Sequence, residues 1–417
     1  MAQTATSRGS ERADILAFQR AVLDRLGFGA AQSTQLKMSG PLDDLRVIDL
    51  STVLAGPNCA RYFADFGADV IKIEKPGAGD NLRAMAWKDP RDGTGLWWKL
   101  VNRNKRNIAL DLKQNEDLQV FLRLVDEAHL LIENFRPGTL ERLGVGPDVL
   151  LKRNPKLVIT RVTGFGQTGP YKDRPGFASI AESMSGLAAI SGEPDGPPML
   201  PPVALTDELT GVVAAFASMV ALHSGVGQVV DVNLLETMFQ IMGPLISLYL
   251  LTGEEQPRLG SQLPYTVPRG VYQCRDGKWV GVSASSDSVA ARVNEVLGVA
   301  DDERFSTFAG RVKHRAILHE LMTNYCASRD SETVLKTFTD AQAAIGPVLA
   351  MSDIAKDPHF AARQAIKMVG ATPMQGLFAS LSATPGELRW EGRSIDADGE
   401  EIRSNLWNHR RDDDREG

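Results

Sequence analysis

Cysteine and histidine are scarce in this chain of 417 residues. The three cysteines, Cys59, Cys274 and Cys326, are far apart and odd in number, so their spacing fits neither a disulfide framework nor a zinc site. We therefore expect a reducing compartment, the cytoplasm, and no bound metal. The six histidines all lie outside the glycine-rich stretch discussed below, which argues against Ser-His or Cys-His nucleophilic catalysis.

Excess positive charge and long apolar runs are also missing. The net charge of −6 argues against bulk binding of nucleic acid, which requires a basic face. No apolar run reaches the ~20 residues that a membrane-spanning helix needs, and no signal peptide is visible near the amino terminus. We expect a soluble chain that binds neither nucleic acid nor membrane. With 43% hydrophobic residues it is long enough for two domains.

From Leu45 onward the sequence alternates between strand and helix patterns. LRVIDLS, DVIKIEK and NIALDLK have the composition of buried strands, whereas AGPNCARYFADFGA and DLQVFLRLVDEA have helical patterns. Strand, helix and strand in short succession predict parallel crossovers and a doubly wound α/β sheet. Its binding crevice should lie at the carboxyl ends of the strands.

Basic residues follow several of these strands despite the acidic total. They include Lys75, Arg83, Lys105 and Arg142. Lysine and arginine near flexible glycines suit an anionic ligand such as a nucleotide phosphate. Each one taken singly is equally explained as a solvated surface charge.

Gly164, Gly166 and Gly169 form a GxGxxG pattern directly after the β-branched run LVITRVT. In a dinucleotide site this motif opens a helix. Here Pro170 and Pro175 follow at once and prevent a helix, so we do not expect a nicotinamide or flavin site. The segment is either a tight turn or a source of backbone N–H groups for a carbonyl oxygen.

Asp207 stands before the apolar run VVAAFASMVAL and has two compatible interpretations. Either Thr206 or Asp207 caps the amino terminus of a helix. Alternatively, Asp207 is a nucleophile, because an aspartate with an ordinary pKa of about 3.9 is already anionic at neutral pH and needs no base.

Several motifs in order resemble the class III coenzyme A transferases, the family of formyl-CoA transferase and carnitine CoA transferase. They are PLDDLRVIDLSTVLAGP, GADVIKIEKPGAGDNLR, VNRNKRNIALDLK, LIENFRPGTLERLG, GFGQTGPY and VALTD. The resemblance covers nearly the whole chain from about Pro41. It implies an α/β fold with a Rossmann-like large domain containing a parallel sheet, a smaller α+β domain, and an interlocked homodimer.

The implied domain limits are as follows: an N-terminal helical extension (1–40), a large CoA-binding domain (41–225), linker helices (226–264), a small domain (265–350) and a segment returning to the large domain (351–417). The small domain should begin with a hairpin that turns at Asp276 and Gly277.

The resemblance also implies roles for individual residues. Asp207 matches the family's nucleophile, which attacks an acyl-CoA thioester, forms a mixed anhydride and then an aspartyl-CoA thioester, and passes coenzyme A to an acceptor carboxylate. Coenzyme A and acyl-CoA are substrates, and no covalently bound cofactor is implied. Positions matching the family's CoA site are Val53, Leu54 and Ala55 for the pantetheine, Lys75 and Arg142 for phosphates, Leu110, Asn134 and Phe135 for the nucleotide, and Arg83, Lys105 and Arg174 without a definite role.

This sequence departs from the family pattern at several positions, and the departures narrow the range of expected substrates. Thr52 and Leu54 replace a histidine and a glutamine of formyl-CoA transferase, and a tetraglycine loop is absent between Leu263 and Val280. These departures favour a succinyl-CoA type donor and a dicarboxylic or hydroxy-acid acceptor.

Two alternatives remain at this stage. One is an acyl-CoA racemase, whose His-Asp base pair would fall at Phe177 and Ala178, where neither base is present. The other is a catalytically silent CoA-binding protein. Ala178 also replaces an acid that family members often carry.

Overall fold

The computed structural model describes residues 40–85 and 87–408. Its largest sheet has six strands in the order β3-β2-β1-β4-β5-β6. These are β1 (Arg46–Asp49), β2 (Asp69–Glu74), β3 (Arg106–Ala109), β4 (Leu130–Glu133), β5 (Val158–Thr163) and β6 (Gln228–Asn233). The pairs β1–β2, β2–β3, β4–β5 and β5–β6 are parallel. The predicted α/β class is confirmed.

The helices of the described chain connect these strands and build the rest of the protein. They are α1 (Ala55–Asp65), α2 (Leu96–Val101), α3 (Asn115–Glu127), α4 (Thr139–Arg142), α5 (Pro147–Arg153), α6 (Ala178–Met184), α7 (Leu187–Ile190), α8 (Leu205–Ser224), α9 (Leu234–Gln240), α10 (Leu245–Thr252), α11 (Asp287–Leu297), α12 (Phe308–Lys313), α13 (Arg315–Ala327), α14 (Ser331–Asp340), α15 (Met351–Ile354), α16 (Pro358–Ala362) and α17 (Gly399–Asn405). Helix α3 illustrates why these segments are helical. Acidic residues in its first turn interact favourably with the helix dipole, and Val120, Phe121 and Leu124 form one buried apolar face.

The chain divides into two compact units, of which the first contains residues 40–49, 60–129 and 350–408. Within it the C-terminal segment bonds to residues around β3. Asn107 N donates to the Asp398 carboxylate (2.8 Å) and Asn104 N to the Trp390 carbonyl (2.9 Å). This unit also contains the antiparallel pair β10 (Ile366–Val369) and β11 (Thr372–Gln375). The predicted N-terminal extension, 1–40, lies outside the described residues apart from Gly40.

The second unit contains residues 50–59 and 130–349. Its last part has a three-stranded sheet of β7 (Arg269–Gln273), β8 (Trp279–Ser283) and β9 (Ile345–Pro347). Strands β7 and β8 form the predicted hairpin, with Gly277 at a positive φ of 78°. The buried core of this region joins the sheet to α11, α13 and α14. The domain limits proposed from the sequence stay predictions.

Helix α8 is the longest of the described helices, and its two faces differ. Gly211, Ala214, Ser218 and Ala221 are buried at a spacing of three to four residues, so one narrow face packs inward. The helix is long and apolar enough by composition to cross a membrane, but only 33% of its apolar window is buried. The search of the sequence for apolar runs missed it because acidic residues stand in its first turn. Core helices of soluble proteins meet the same criterion.

Candidate active site

The segment after β1 is held in place by the residue that follows β4. Asn134 accepts a hydrogen bond from Thr52 N and donates one to the Thr52 carbonyl, both at 2.7 Å. Gly56 allows this segment to turn tightly, since a Cβ there would lie 2.3 Å from Ser51 Cβ. The predicted residues around Val53 and around Asn134 are therefore brought together within the second unit.

Val53 has a φ of 65°, in the left-handed region. A β-branched residue rarely adopts this conformation, which costs on the order of 1–3 kcal/mol and persists only where surrounding contacts enforce it. The two hydrogen bonds of Asn134 provide such contacts. Leu54 and Ala55 beyond it are buried and lead into α1. Strain of this kind is typical of functional loops.

Asp207 lies in the first turn of α8 but does not cap it. The cap position is Ala204, which provides no side-chain hydrogen bond, and Asp207 follows three residues later. The helix-cap interpretation is therefore wrong. Among the described residues, none donates a hydrogen bond to the half-buried Asp207 carboxylate.

Both chain neighbours of Asp207 are bound to other elements. Thr206 Oγ1 donates to Glu182 Oε1 on α6 (2.7 Å), and Asn58 Nδ2 on α1 donates to Glu208 Oε2 (2.9 Å). One turn later, a Cβ at Gly211 would lie 3.2 Å from the Ala55 carbonyl oxygen and closer still to Asn58. The first two turns of α8 thus pack tightly against the segment that contains Val53.

Burial, together with the nearby acids Glu182 and Glu208, raises the pKa of Asp207 to about 6. The positive end of the α8 dipole acts in the opposite direction, by typically 0.3–1 kcal/mol. A rise of about two units corresponds to about 3 kcal/mol, so burial and the two acids outweigh the dipole. The result is a carboxylate that is ionised at neutral pH and more basic than usual.

The GFGQTG segment does not open a helix, because turns follow and α6 begins only at Ala178. The structure therefore bears out the exclusion of a dinucleotide motif. Gly166 N donates to Thr163 Oγ1 and Gln167 N donates to Asp231 Oδ2, both at 2.9 Å. These two amides are engaged within the turn, so they are not available to a carbonyl oxygen in this structure.

Two of the predicted CoA-binding residues, both in the first unit, are engaged in ion pairs. Arg83 bonds to the Glu74 carboxylate (2.6 and 2.9 Å) and stacks on Trp98, 3.6 Å from the ring centre. Lys105 is fully buried and pairs with Asp49 at 2.8 Å. Burial lowers the pKa of Lys105 to about 8, although Asp49 partly offsets this. Both cations are thus paired with carboxylates in this structure.

The remaining predicted residues differ in exposure. Lys75, Arg142 and Arg174 are exposed, Phe135 is partly exposed, and Leu110 is buried. Arg142 donates to Thr139 Oγ1 (2.9 Å), and Arg174 lies over the Tyr171 ring at 3.8 Å. Among residues 40–85 and 87–408, no group of three His, Cys, Asp or Glu side chains is arranged to hold a metal.

Sequence reasoning missed Glu182, Asn58 and Glu208. Glu182 lies between the GFGQTG segment and Asp207, but a single acid in a short helix of small residues forms no recognisable motif. Asn58 and Glu208 are 150 positions apart in the chain, so only the folded structure reveals their contact.

Comparisons with known proteins bear on this site. The model of CoA-transferase family III matches residues 42–397. Succinyl-CoA–D-citramalate CoA-transferase of Chloroflexus aurantiacus is 40% identical, over 89% of this chain and 96% of that protein. Succinate–glutarate CoA-transferase of Agrobacterium fabrum is 36% identical, over 78% and 84% respectively. The crystal structure of a CAIB/BAIF family protein from Brucella suis superposes with a TM-score of 0.78 at 30% identity, over 88% of this chain and all of that one.

Proposed function

Since the chain belongs to CoA-transferase family III and is a CoA-transferase, we propose that it moves coenzyme A from a dicarboxylic acyl-CoA to a second carboxylic acid through covalent intermediates on Asp207. The observation that carries the proposal is the Asp207 carboxylate itself. It is partly accessible, ionised at neutral pH, more basic than usual, and accepts no hydrogen bond from a described residue. A nucleophile needs a free lone pair, and this carboxylate has one.

The proposed reaction has four balanced steps. An Asp207 oxygen attacks the thioester carbonyl of the donor, the C–S bond breaks, and a mixed anhydride and the CoA thiolate form. The thiolate attacks the Asp207 carbonyl carbon, which releases the donor acid and leaves an aspartyl-CoA thioester. The acceptor carboxylate attacks that thioester and expels the thiolate, giving a second anhydride. The thiolate then attacks the acceptor carbonyl, which regenerates Asp207. Each intermediate is open to hydrolysis, so water must be excluded.

The proposed coenzyme A site uses the strained segment after β1 and the residues after β4. Val53 to Ala55 would line the pantetheine, with Asn134 holding the segment and Phe135 beside the nucleotide. The exposed Lys75, Arg142 and Arg174 are the proposed phosphate ligands, and Leu110 stays a proposed lining residue. Arg83 and Lys105 stay proposed residues of this site without a definite role, and each is paired with a buried carboxylate.

The proposed substrates are succinyl-CoA as donor and a dicarboxylic or hydroxydicarboxylic acid as acceptor. Support comes from the two relatives above, whose names specify succinyl-CoA with D-citramalate and succinate with glutarate. We further propose a homodimer in the cytoplasm. Helix α10 has no buried residue, and Leu250, Leu251 and Phe216 are 73%, 84% and 72% exposed. Large apolar side chains with this exposure are often covered by a partner chain.

The test is mass spectrometry of reactions that contain succinyl-CoA and an acceptor acid labelled with ¹⁸O in its carboxylate. The acceptor oxygen should pass to Asp207 in the fourth step and leave with succinate in the next cycle. After one turnover we expect the peptide containing Asp207 to gain one ¹⁸O, and after many turnovers up to two, because either carboxylate oxygen can leave with succinate. Asp207→Asn should lose at least about 1000-fold in rate, as nucleophile replacements do.

The matched control is Asp340→Asn, which removes an exposed aspartate from α14 and should keep full activity. Exchange that persists in Asp207→Asn, or label that reaches the products but never Asp207, would rule out the covalent route. No exchange by the wild-type protein with any dicarboxylic acid, in contrast to exchange with monocarboxylic acids, would overturn the proposed substrate class.

A further inference from the structure

Glu182 is a buried carboxylate without a cationic partner. Its side chain is 3% exposed, and no Lys or Arg of the described chain forms a salt bridge with it. Its one side-chain hydrogen bond comes from Thr206, which is completely buried. Burying a carboxylate with so little compensation costs stability. Stabilisation of the fold therefore does not explain why Glu182 is buried, and another role is needed to explain it.

The Thr206–Glu182 bond fixes the backbone beside Asp207. Thr206 and Asp207 are adjacent in the first turn of α8, and Glu208 on the other side is fixed by Asn58. These two restraints hold the backbone on both sides of Asp207, whose own side chain accepts no hydrogen bond from a described residue. Small misplacements of a reacting group are costly in rate.

We propose that Glu182 is a positioning residue for Asp207: its hydrogen bond with Thr206 fixes the turn that presents the nucleophile, and its carboxylate places a second acid beside that turn. The proposal rests on the function proposed above. The Glu182 side chain then has two separable effects. One is geometric and passes through Thr206, and the other is electrostatic and acts directly on Asp207.

The charges around Asp207 are consistent with this assignment. Glu182 on α6 and Glu208 on α8 both raise the pKa of Asp207. Arg161 on β5, Asp231 on β6 and Glu236 on α9, which belong to the other elements packed against α8, do not contribute to that shift. Ala178 lies one turn before Glu182 on the same face of α6 and carries no charge.

The two effects are separated by three variants. Glu182→Gln keeps an oxygen that accepts from Thr206 but removes the charge. Thr206→Val removes the hydrogen bond and keeps the charge, and Thr206→Ser restores the hydroxyl. We expect Glu182→Gln to shift the acid limb of the pH–rate profile to lower pH by about half a unit or more. Thr206→Val should lower kcat about tenfold with KM nearly unchanged, and Thr206→Ser should recover most of the loss.

A second readout does not depend on turnover. Water-soluble carbodiimide reacts with protonated carboxyl groups, so its rate of modifying Asp207, followed by peptide mass spectrometry across pH, reports the ionisation of that side chain directly. In Glu182→Gln the midpoint should move to lower pH, and in Thr206→Val it should not move. Unchanged midpoints and kcat in both variants, with only a lower Tm, would show that Glu182 is merely structural. Failure of wild-type exchange would instead refute the proposed function and leave the carbodiimide result standing.

Discussion

Asp49 and Asp207 are the same residue type in opposite surroundings. Asp49, at the end of β1, is fully buried and lies 2.8 Å from Lys105 and 3.6 Å from Lys72. Asp207 is half-buried, has acids as its charged neighbours, and accepts no hydrogen bond from a described residue. The charge of Asp49 is compensated and stabilises the sheet. The charge of Asp207 is uncompensated, so it costs stability and is available for chemistry.

The largest effect on stability should come from Asp49→Asn. The substitution removes the carboxylate that pairs with the buried Lys105, which typically costs about 3–5 kcal/mol, whereas Lys72 keeps Asp80 at 3.7 Å. Urea denaturation at pH 7.5 and fixed protein concentration measures it. Asp340→Asn is the matched control, since its exposed pair with Lys336 is worth less than about 0.5 kcal/mol. If Asp49→Asn lowers the free energy of unfolding by less than about 1 kcal/mol, the two aspartates do not differ in the way described.

Asp207→Asn should raise the free energy of unfolding, whereas Asp49→Asn should lower it. The pKa of Asp207 in the folded state, about 6, exceeds the unfolded value of about 3.9. Its favourable contribution is thus complete below pH 4 and is lost as pH rises through 6. At pH 8 the asparagine variant should be more stable by about 1–3 kcal/mol, and at pH 4 the two proteins should be nearly equal. Equal stability at both pH values would contradict the uncompensated charge.

The smallest predicted effect is the change in catalytic rate of the wild-type enzyme with pH. In the proposed mechanism only ionised Asp207 attacks the thioester, so kcat/KM should fall about tenfold for each unit below pH 6 and stay level above it. Circular dichroism at each pH serves as the control for unfolding. An acid limb centred near pH 4 instead would mean that burial and the neighbouring acids do not act on the nucleophile in solution.

Much of the fold was predictable, because buried strands and amphipathic helices alternate with little ambiguity between Leu45 and Val162. The predicted hairpin at Gly277 was also correct, since a short Asp-Gly turn between β-rich runs has few other conformations. The candidate nucleophile came from the resemblance, whereas its local pattern alone favoured a helix cap.

The partners of the charged residues were not predictable. Arg83 and Lys105 stand near strand ends, as phosphate ligands would, but Glu74 and Asp49 neutralise them, and only the parallel sheet brings Lys105 to Asp49 across 56 positions. The left-handed conformation of Val53 contradicts the preference of valine and results from the contacts of Asn134. Glu182 has no sequence signal, because its importance depends on what it touches.

The fixed turn of α8 has a consequence for how the proposed enzyme would change shape during its cycle. All four steps use the same carboxyl group, and an aspartate side chain has only two torsion angles to turn between a donor, a thiolate and an acceptor. With Thr206 and Glu208 restrained, the backbone beneath Asp207 need not move. The ordering entropy lost at each step is then limited to one short side chain, so successive covalent intermediates form with little rearrangement of the protein.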